Sequence, residues 1–188
     1  MASIACTEGF TKFFFTHIQK TGGKSMTVSF SRINPFNVAR TMHDSARSFK
    51  DWWPDEWDQY PSFAIVRNPY SRWVSIYHNY YPTYPTFREF MLDREAWLPD
   101  WEVEDQWMML SDEEGEEIIV DHIGRFETLD ESWGDFCRIL GVEPFPLDCL
   151  NPPKRRPPWR EYYDSETKRI AAELSARDLG TFGYRFDP

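Results

Sequence analysis

Cysteine is scarce in this chain of 188 residues: Cys6, Cys137 and Cys149 have no paired spacing and form no metal-ligand pattern with the four histidines. That excludes a disulfide framework and a structural zinc site, and predicts reduced thiols in a cytoplasmic protein. Positive charge is short as well. With 21 Lys and Arg against 31 Asp and Glu, the net charge is −10, which excludes a general nucleic-acid-binding surface. The N-terminus lacks the basic start and long apolar core of a signal peptide, no apolar run reaches the length of a membrane span, and no repeat of fixed period is visible. Hydrophobic residues nevertheless make up 41%, so the expectation is a folded globule, with residues 1–188 as a single domain. The sequence does not indicate an oligomeric state.

Lysine and arginine are also absent between Arg94 and Arg125, inside an aromatic and acidic stretch. The reverse holds at 151–160, where prolines enclose Lys154, Arg155, Arg156 and Arg160. Against so acidic a background, positive charge must be local if the ligand is an anion.

It is local in Phe13 to Ser25, Phe-Phe-Phe-Thr-His-Ile-Gln-Lys-Thr-Gly-Gly-Lys-Ser. An apolar β-rich run empties into Thr21-Gly22-Gly23, and Met26, Phe30 and Ile33 then recur on one helical face. A strand, a glycine turn and a helix N-terminus make an anion site from unpaired N–H groups and the helix dipole. Lys20 and Lys24 bracket the turn, so the expected ligand is a phosphate or a related oxyanion. A nucleotide P-loop requires G-x-x-x-x-G-K-[ST], and Ile18 stands where its first glycine belongs. This is therefore a phosphate loop that departs from the ATPase pattern. The plainer alternative is an ordinary strand-to-helix turn.

Other segments repeat the strand-then-helix outline. Asn37 to Thr41 suits a short strand leading through His43-Asp44-Ser45 into a helix that ends near Trp53. Ser62 to Val66 suits a buried strand before a helix bearing Tyr70, Trp73, Val74 and Tyr77. Ile118-Ile119-Val120 begins a strand reaching Arg125, and the following helix has a capping-box pattern in Thr128 and Glu131. Asp164 suits the cap of a last helix ending near Gly180. The expected fold is α/β, with a central parallel sheet of about four or five strands flanked by helices on both faces. Ligands sit at the carboxyl ends of such strands, and Lys20, His43, Arg67 and Arg125 each follow one. Arg67 there can fork onto a phosphate, and Ser71 and Ser75 lie four residues apart on one helical face.

His17-Ile18-Gln19-Lys20-Thr21-Gly22-Gly23-Lys24-Ser25 resembles the 5′-phosphosulfate loop of sulfotransferases that use PAPS (3′-phosphoadenosine 5′-phosphosulfate), commonly H-I-P-K-T-G-G-T-S. Arg67 to Ser75 is similar to their 3′-phosphate motif. Ile123 to Glu127 and Phe182 to Phe186 resemble segments of the Golgi-type carbohydrate sulfotransferases and their short bacterial or viral relatives. The resemblance implies a P-loop-like sulfotransferase fold that moves a sulfuryl group from PAPS to an acceptor hydroxyl, on a carbohydrate, without a metal. It implies that Lys20 contacts the leaving oxygen. Thr21, Gly22, Gly23, Lys24, Ser25 and Met26 would hold the 5′-phosphate, and Arg67 and Ser75 the 3′-phosphate. Arg155 lies in a basic loop suited to the 3′-phosphate or an anionic acceptor. Gln19 and Lys24 depart from the family's proline and threonine.

For the general base the choice is His43, because histidine is the residue type suited to proton transfer near neutral pH and because it resembles a histidine of the heparan sulfate 2-O-type members. Asp44 and Glu127 are the runners-up, and a helix-cap role is the plain alternative for His43. The regions read as 12–34 for the 5′-phosphosulfate loop, 62–81 for the 3′-phosphate, and 82–117 for a variable acceptor region, whose aromatic residues are mainly core. An ATP-dependent small-molecule kinase and a non-catalytic nucleotide-binding module are the competing functions.

Overall fold

The computed structural model describes residues 11–34, 43–97, 105–148 and 156–187. In chain order its elements are β1 (Phe14–Thr16), α1 (Gly23–Ile33), α2 (Ala46–Trp52), α3 (Pro54–Trp57), β2 (Ser62–Val66), α4 (Pro69–Tyr80), α5 (Phe87–Leu92), α6 (Arg94–Trp97), α7 (Gln106–Leu110), β3 (His122–Arg125), α8 (Leu129–Ile139), α9 (Ser165–Leu174) and α10 (Ala176–Phe182). They group into two compact units, Met1–Val66 with Met108–Pro152, and Arg67–Trp107 with Pro153–Pro188.

The first unit is built on a parallel sheet in the order β1-β2-β3, with Phe14 opposite Ser62 and Val66 opposite Arg125. Every residue of β2 is buried, as a strand covered on both faces must be. Strand side chains alternate between faces. Phe13, Phe15, Phe63 and Ile65 share a core with Met26 and Phe30 of α1 and Trp133, Phe136 and Cys137 of α8. Phe14 meets the rings of Phe49, Trp53 and Trp57 from the α2–α3 segment at 5.8, 6.3 and 5.0 Å. Helices thus flank both faces of a parallel sheet, as expected.

The strand count is a correction: the described residues contain three strands, not four or five. The strand expected at 37–41 lies outside the described residues. Ile118 to Val120 does not begin a sheet strand either. Ile119 N–H bonds to the Leu110 carbonyl at 2.9 Å, and Ile118 bridges Ser111 in antiparallel fashion. Those backbone groups are used in a local hairpin, so β3 starts only at His122. The capping box at Thr128 is absent too, because a 3-10 turn over Phe126–Thr128 runs straight into α8 without a side-chain cap.

The second unit is helical. Asn68 caps α4 by accepting from Tyr70 N–H at 3.1 Å, and Pro69 fills the first turn, where its missing N–H costs nothing. Tyr70, Trp73, Val74, Ile76 and Tyr77 of α4 pack on Phe87, Phe90 and Met91 of α5 and on Ile170 and Ala171 of α9. Most of the aromatic excess near Tyr77 is therefore core. Asp164 caps α9 as expected, within a capping box completed by Thr167, and Thr86 with Glu89 forms another at α5. The final helix does not run unbroken to Gly180. It breaks at Ser175, whose hydroxyl accepts from the buried Trp73 indole at 2.9 Å, and resumes as α10.

Candidate functional site

The chain leaves all three parallel strands at one edge of the sheet, and at the end of β1 it forms the glycine loop. Gly22, the N-cap of α1, has φ 85°, a left-handed conformation that glycine reaches without strain. At Gly23 the requirement is space: a Cβ would lie 1.7 Å from the His17 ring. Lys20 and His43 have φ 65° and 73° despite carrying side chains. Such residues cost about 1–3 kcal/mol each and gather at functional sites.

Inside the loop, the Gly22 carbonyl accepts from Ser25 N–H at 3.0 Å and Met26 N–H at 3.3 Å. No carbonyl of α1 can serve the N–H groups of Gly23 and Lys24, and no acidic residue occupies the first turn. The helix dipole adds positive potential at that point. Thr21 is fully buried and donates its hydroxyl to the Ile18 carbonyl at 2.8 Å, so this side chain braces the loop. The Met26 side chain is likewise fully buried, so Met26 faces the loop only through its main chain. Ile18 is 1% exposed: the position where a P-loop has its first glycine is core here. Lys24 is exposed, and Lys20 and Ser25 are half-buried.

His43 reaches the same loop. Its Nδ1 lies 2.9 Å from the His17 carbonyl, with the two rings 4.5 Å apart. A carbonyl only accepts, so Nδ1 carries the hydrogen and the lone pair of the neutral ring sits on Nε2. Burial chiefly, then the His43 and Lys24 charges, lower the His17 pKa from 6.5 to about 4, so His17 is neutral near pH 7. Burial raises the Asp44 pKa, with His43 opposing. Arg125 and Glu127 lie exposed at the end of β3.

In the second unit, Arg67 is the first residue beyond β2. Its Nε–H donates to Ser71 Oγ at 2.8 Å, and Ser71 in turn donates to the Asn68 carbonyl at 3.1 Å. Ser71 therefore orients the guanidinium, while Ser75, one turn on, is half-buried. The Arg67 backbone is held by Gln106, itself held by Asp178. Neither residue was marked by sequence reasoning, because a lone glutamine in an acidic stretch and an aspartate in a late helix carry no local signal. Arg155 and Lys154 fall outside the described residues, and Arg156 is exposed. Among the described residues, no group of three or more His, Cys, Asp or Glu could hold a metal ion, and no helix is long and apolar enough to cross a membrane. Grooves of about 700 and 570 Å³ open beside β3 and α8 and beside Trp57 to Pro61, and no residue of the glycine loop lines either.

A model of the sulfotransferase family matches residues 5–175. Among solved structures, the chain is similar to a sulfotransferase from Alicyclobacillus acidocaldarius, with a TM-score of 0.52 and 16% identity over 93% of this chain and 96% of that one. At that identity the likeness is one of fold. No curated protein matches the chain in sequence.

Proposed function

The chain belongs to the sulfotransferase family, and from that premise we propose that it transfers a sulfuryl group from PAPS to a hydroxyl of a carbohydrate acceptor. The observation that carries the reading is the 2.9 Å contact between His43 Nδ1 and the His17 carbonyl. It holds an imidazole, with Nε2 left as the acceptor atom, against the loop that would hold the phosphosulfate, and this supports His43 as the base. In the transfer, the acceptor oxygen attacks sulfur while its proton passes to His43 Nε2. The bond from sulfur to the bridging phosphate oxygen breaks, and that oxygen leaves with the electron pair on adenosine 3′,5′-bisphosphate. Lys20 donates to the departing oxygen. The N–H groups of Thr21 to Lys24 and the Ser25 hydroxyl cradle the 5′-phosphate, and Arg67 with Ser75 takes the 3′-phosphate. By analogy with phosphoryl transfer, the work is positioning and charge stabilisation, with side chains supplying the cations. Arg155 belongs to the proposal as a further anion contact. The carbohydrate rests on the resemblance of Ile123 to Glu127 and Phe182 to Phe186 to the carbohydrate enzymes, and a cytoplasmic setting on the free, buried thiol of Cys137.

Calorimetry in EDTA tests the donor. Adenosine 3′,5′-bisphosphate is expected to bind without metal and more tightly than ADP. Tight binding of Mg-ATP with no response to the bisphosphate would transfer the case to a kinase. His43→Ala is expected to keep bisphosphate affinity while losing transfer by about 100-fold or more, the scale of general base catalysis; unchanged turnover removes His43 from the mechanism.

A further inference from the structure

Gln106 and Asp178 belong to no motif, yet they are 0% and 1% exposed. Gln106 Oε1 accepts from Arg67 N–H at 2.8 Å, and Gln106 Nε2 donates to the Arg67 carbonyl at 2.9 Å. One side-chain amide thus pairs with both polar groups of a single residue, as a neighbouring strand would. It does so just beyond Val66, the last residue of β2 in the ladder with β3. Asp178 locks the amide in turn. Its carboxylate accepts from Gln106 Nε2 and Gln106 N–H, each at 3.1 Å, and from Trp107 N–H at 2.8 Å. Those two main-chain donors open α7 and have no carbonyl within that helix to reach, and a negative charge suits a helix N-terminus. Beside Asp178, the Arg177 guanidinium lies 4.6 Å from the Trp107 ring centre. Two adjacent residues of α10 therefore grip two adjacent residues of α7. Ser71 steadies the Arg67 side chain, and the amide and carboxylate steady its backbone.

We infer that Gln106, held by Asp178, is a positioning residue that sets affinity for the donor's 3′-phosphate by fixing the backbone from which Arg67 reaches it. The inference rests on the assignment of Arg67 to the 3′-phosphate made above. A bidentate arginine fork depends on orientation as well as charge. A small rotation of the Arg67 peptide, multiplied along a long side chain, moves the guanidinium out of register. The segment 82–117, read from sequence as an acceptor region, thereby also serves the donor.

The test is a set of dissociation constants for adenosine 3′,5′-bisphosphate and adenosine 5′-monophosphate. They are measured by calorimetry on the full chain and on Arg67→Ala, Gln106→Ala and the double variant. The ratio of the two constants isolates what the 3′-phosphate contributes. Arg67→Ala is expected to lower that preference about tenfold or more, the scale of a charged hydrogen bond. Gln106→Ala is expected to lower it about three- to tenfold with monophosphate affinity unchanged, and the double variant to be no worse than Arg67→Ala alone. A purely structural role predicts instead that both nucleotides weaken together, and that result counts against the inference. A preference kept in Gln106→Ala, or an effect that adds fully to that of Arg67→Ala, overturns it while leaving Arg67 in place. A full chain with no preference for the bisphosphate overturns both assignments. Where Gln106→Ala does not fold, Asp178→Asn, which keeps the shape and removes an acceptor, is read in the same way.

Discussion

His17 and Gly23 are matched at the level of single atoms. The imidazole occupies the volume in which a Gly23 side chain would begin, at 1.7 Å from the ring. Gly23→Ala is therefore expected to abolish nucleotide binding by displacing either the ring or the loop. Adding His17→Ala is expected to recover part of that binding, measurable by calorimetry; no recovery would mean that the clash lies elsewhere. The same burial makes His17 pH-sensitive. Its folded pKa of about 4 is below the ordinary 6.5, so between these values the unfolded chain binds more protons than the folded one. Stability from this residue is full above pH 6.5, falls as pH drops to about 4, and totals at most about 3 kcal/mol. Thermal melts across that window are expected to show a steeper acid loss in the native chain than in His17→Gln. Parallel curves would mean that His17 is not held neutral by the fold.

At the scale of elements, the break between α9 and α10 turns on one hydroxyl. Ser175 is 2% exposed and receives the Trp73 indole N–H of α4. Ser175→Ala removes the acceptor of that buried hydrogen bond, and the expected cost is about 1–3 kcal/mol. The check is a lower urea midpoint with an unchanged m value. Motif-bearing elements were legible because their signals are local: a run of aromatics and a double glycine for β1 into α1, an apolar run and Asn-Pro for β2 into α4. Boundaries set by distant partners were not. Ile118 to Val120 has strand composition, but its hydrogen bonds go to the Leu110–Asp112 segment, and composition cannot say which strand a backbone group will find.

For the whole molecule, a ligand that binds only the folded state adds stability by mass action. Adenosine 3′,5′-bisphosphate at 100 times its dissociation constant is expected to add about 2.7 kcal/mol, a rise of roughly 5–10 °C in the melting midpoint. Scanning fluorimetry would show it, and Lys20→Ala at the same concentration should show less; equal shifts would exclude Lys20 from the donor site. The sequence alone determined the α/β class, the glycine turn after β1 and the arginine after β2. Each of these follows from residue type and short-range spacing, which act through backbone geometry and local charge. Only the tertiary structure decided that the Thr21 hydroxyl and Met26 turn inward, that His43 bonds to the His17 carbonyl, and that Gln106 and Asp178 hold Arg67. Those contacts join residues as far as 72 positions apart, and a hydrogen bond depends on distance and direction in space, which order along the chain does not encode.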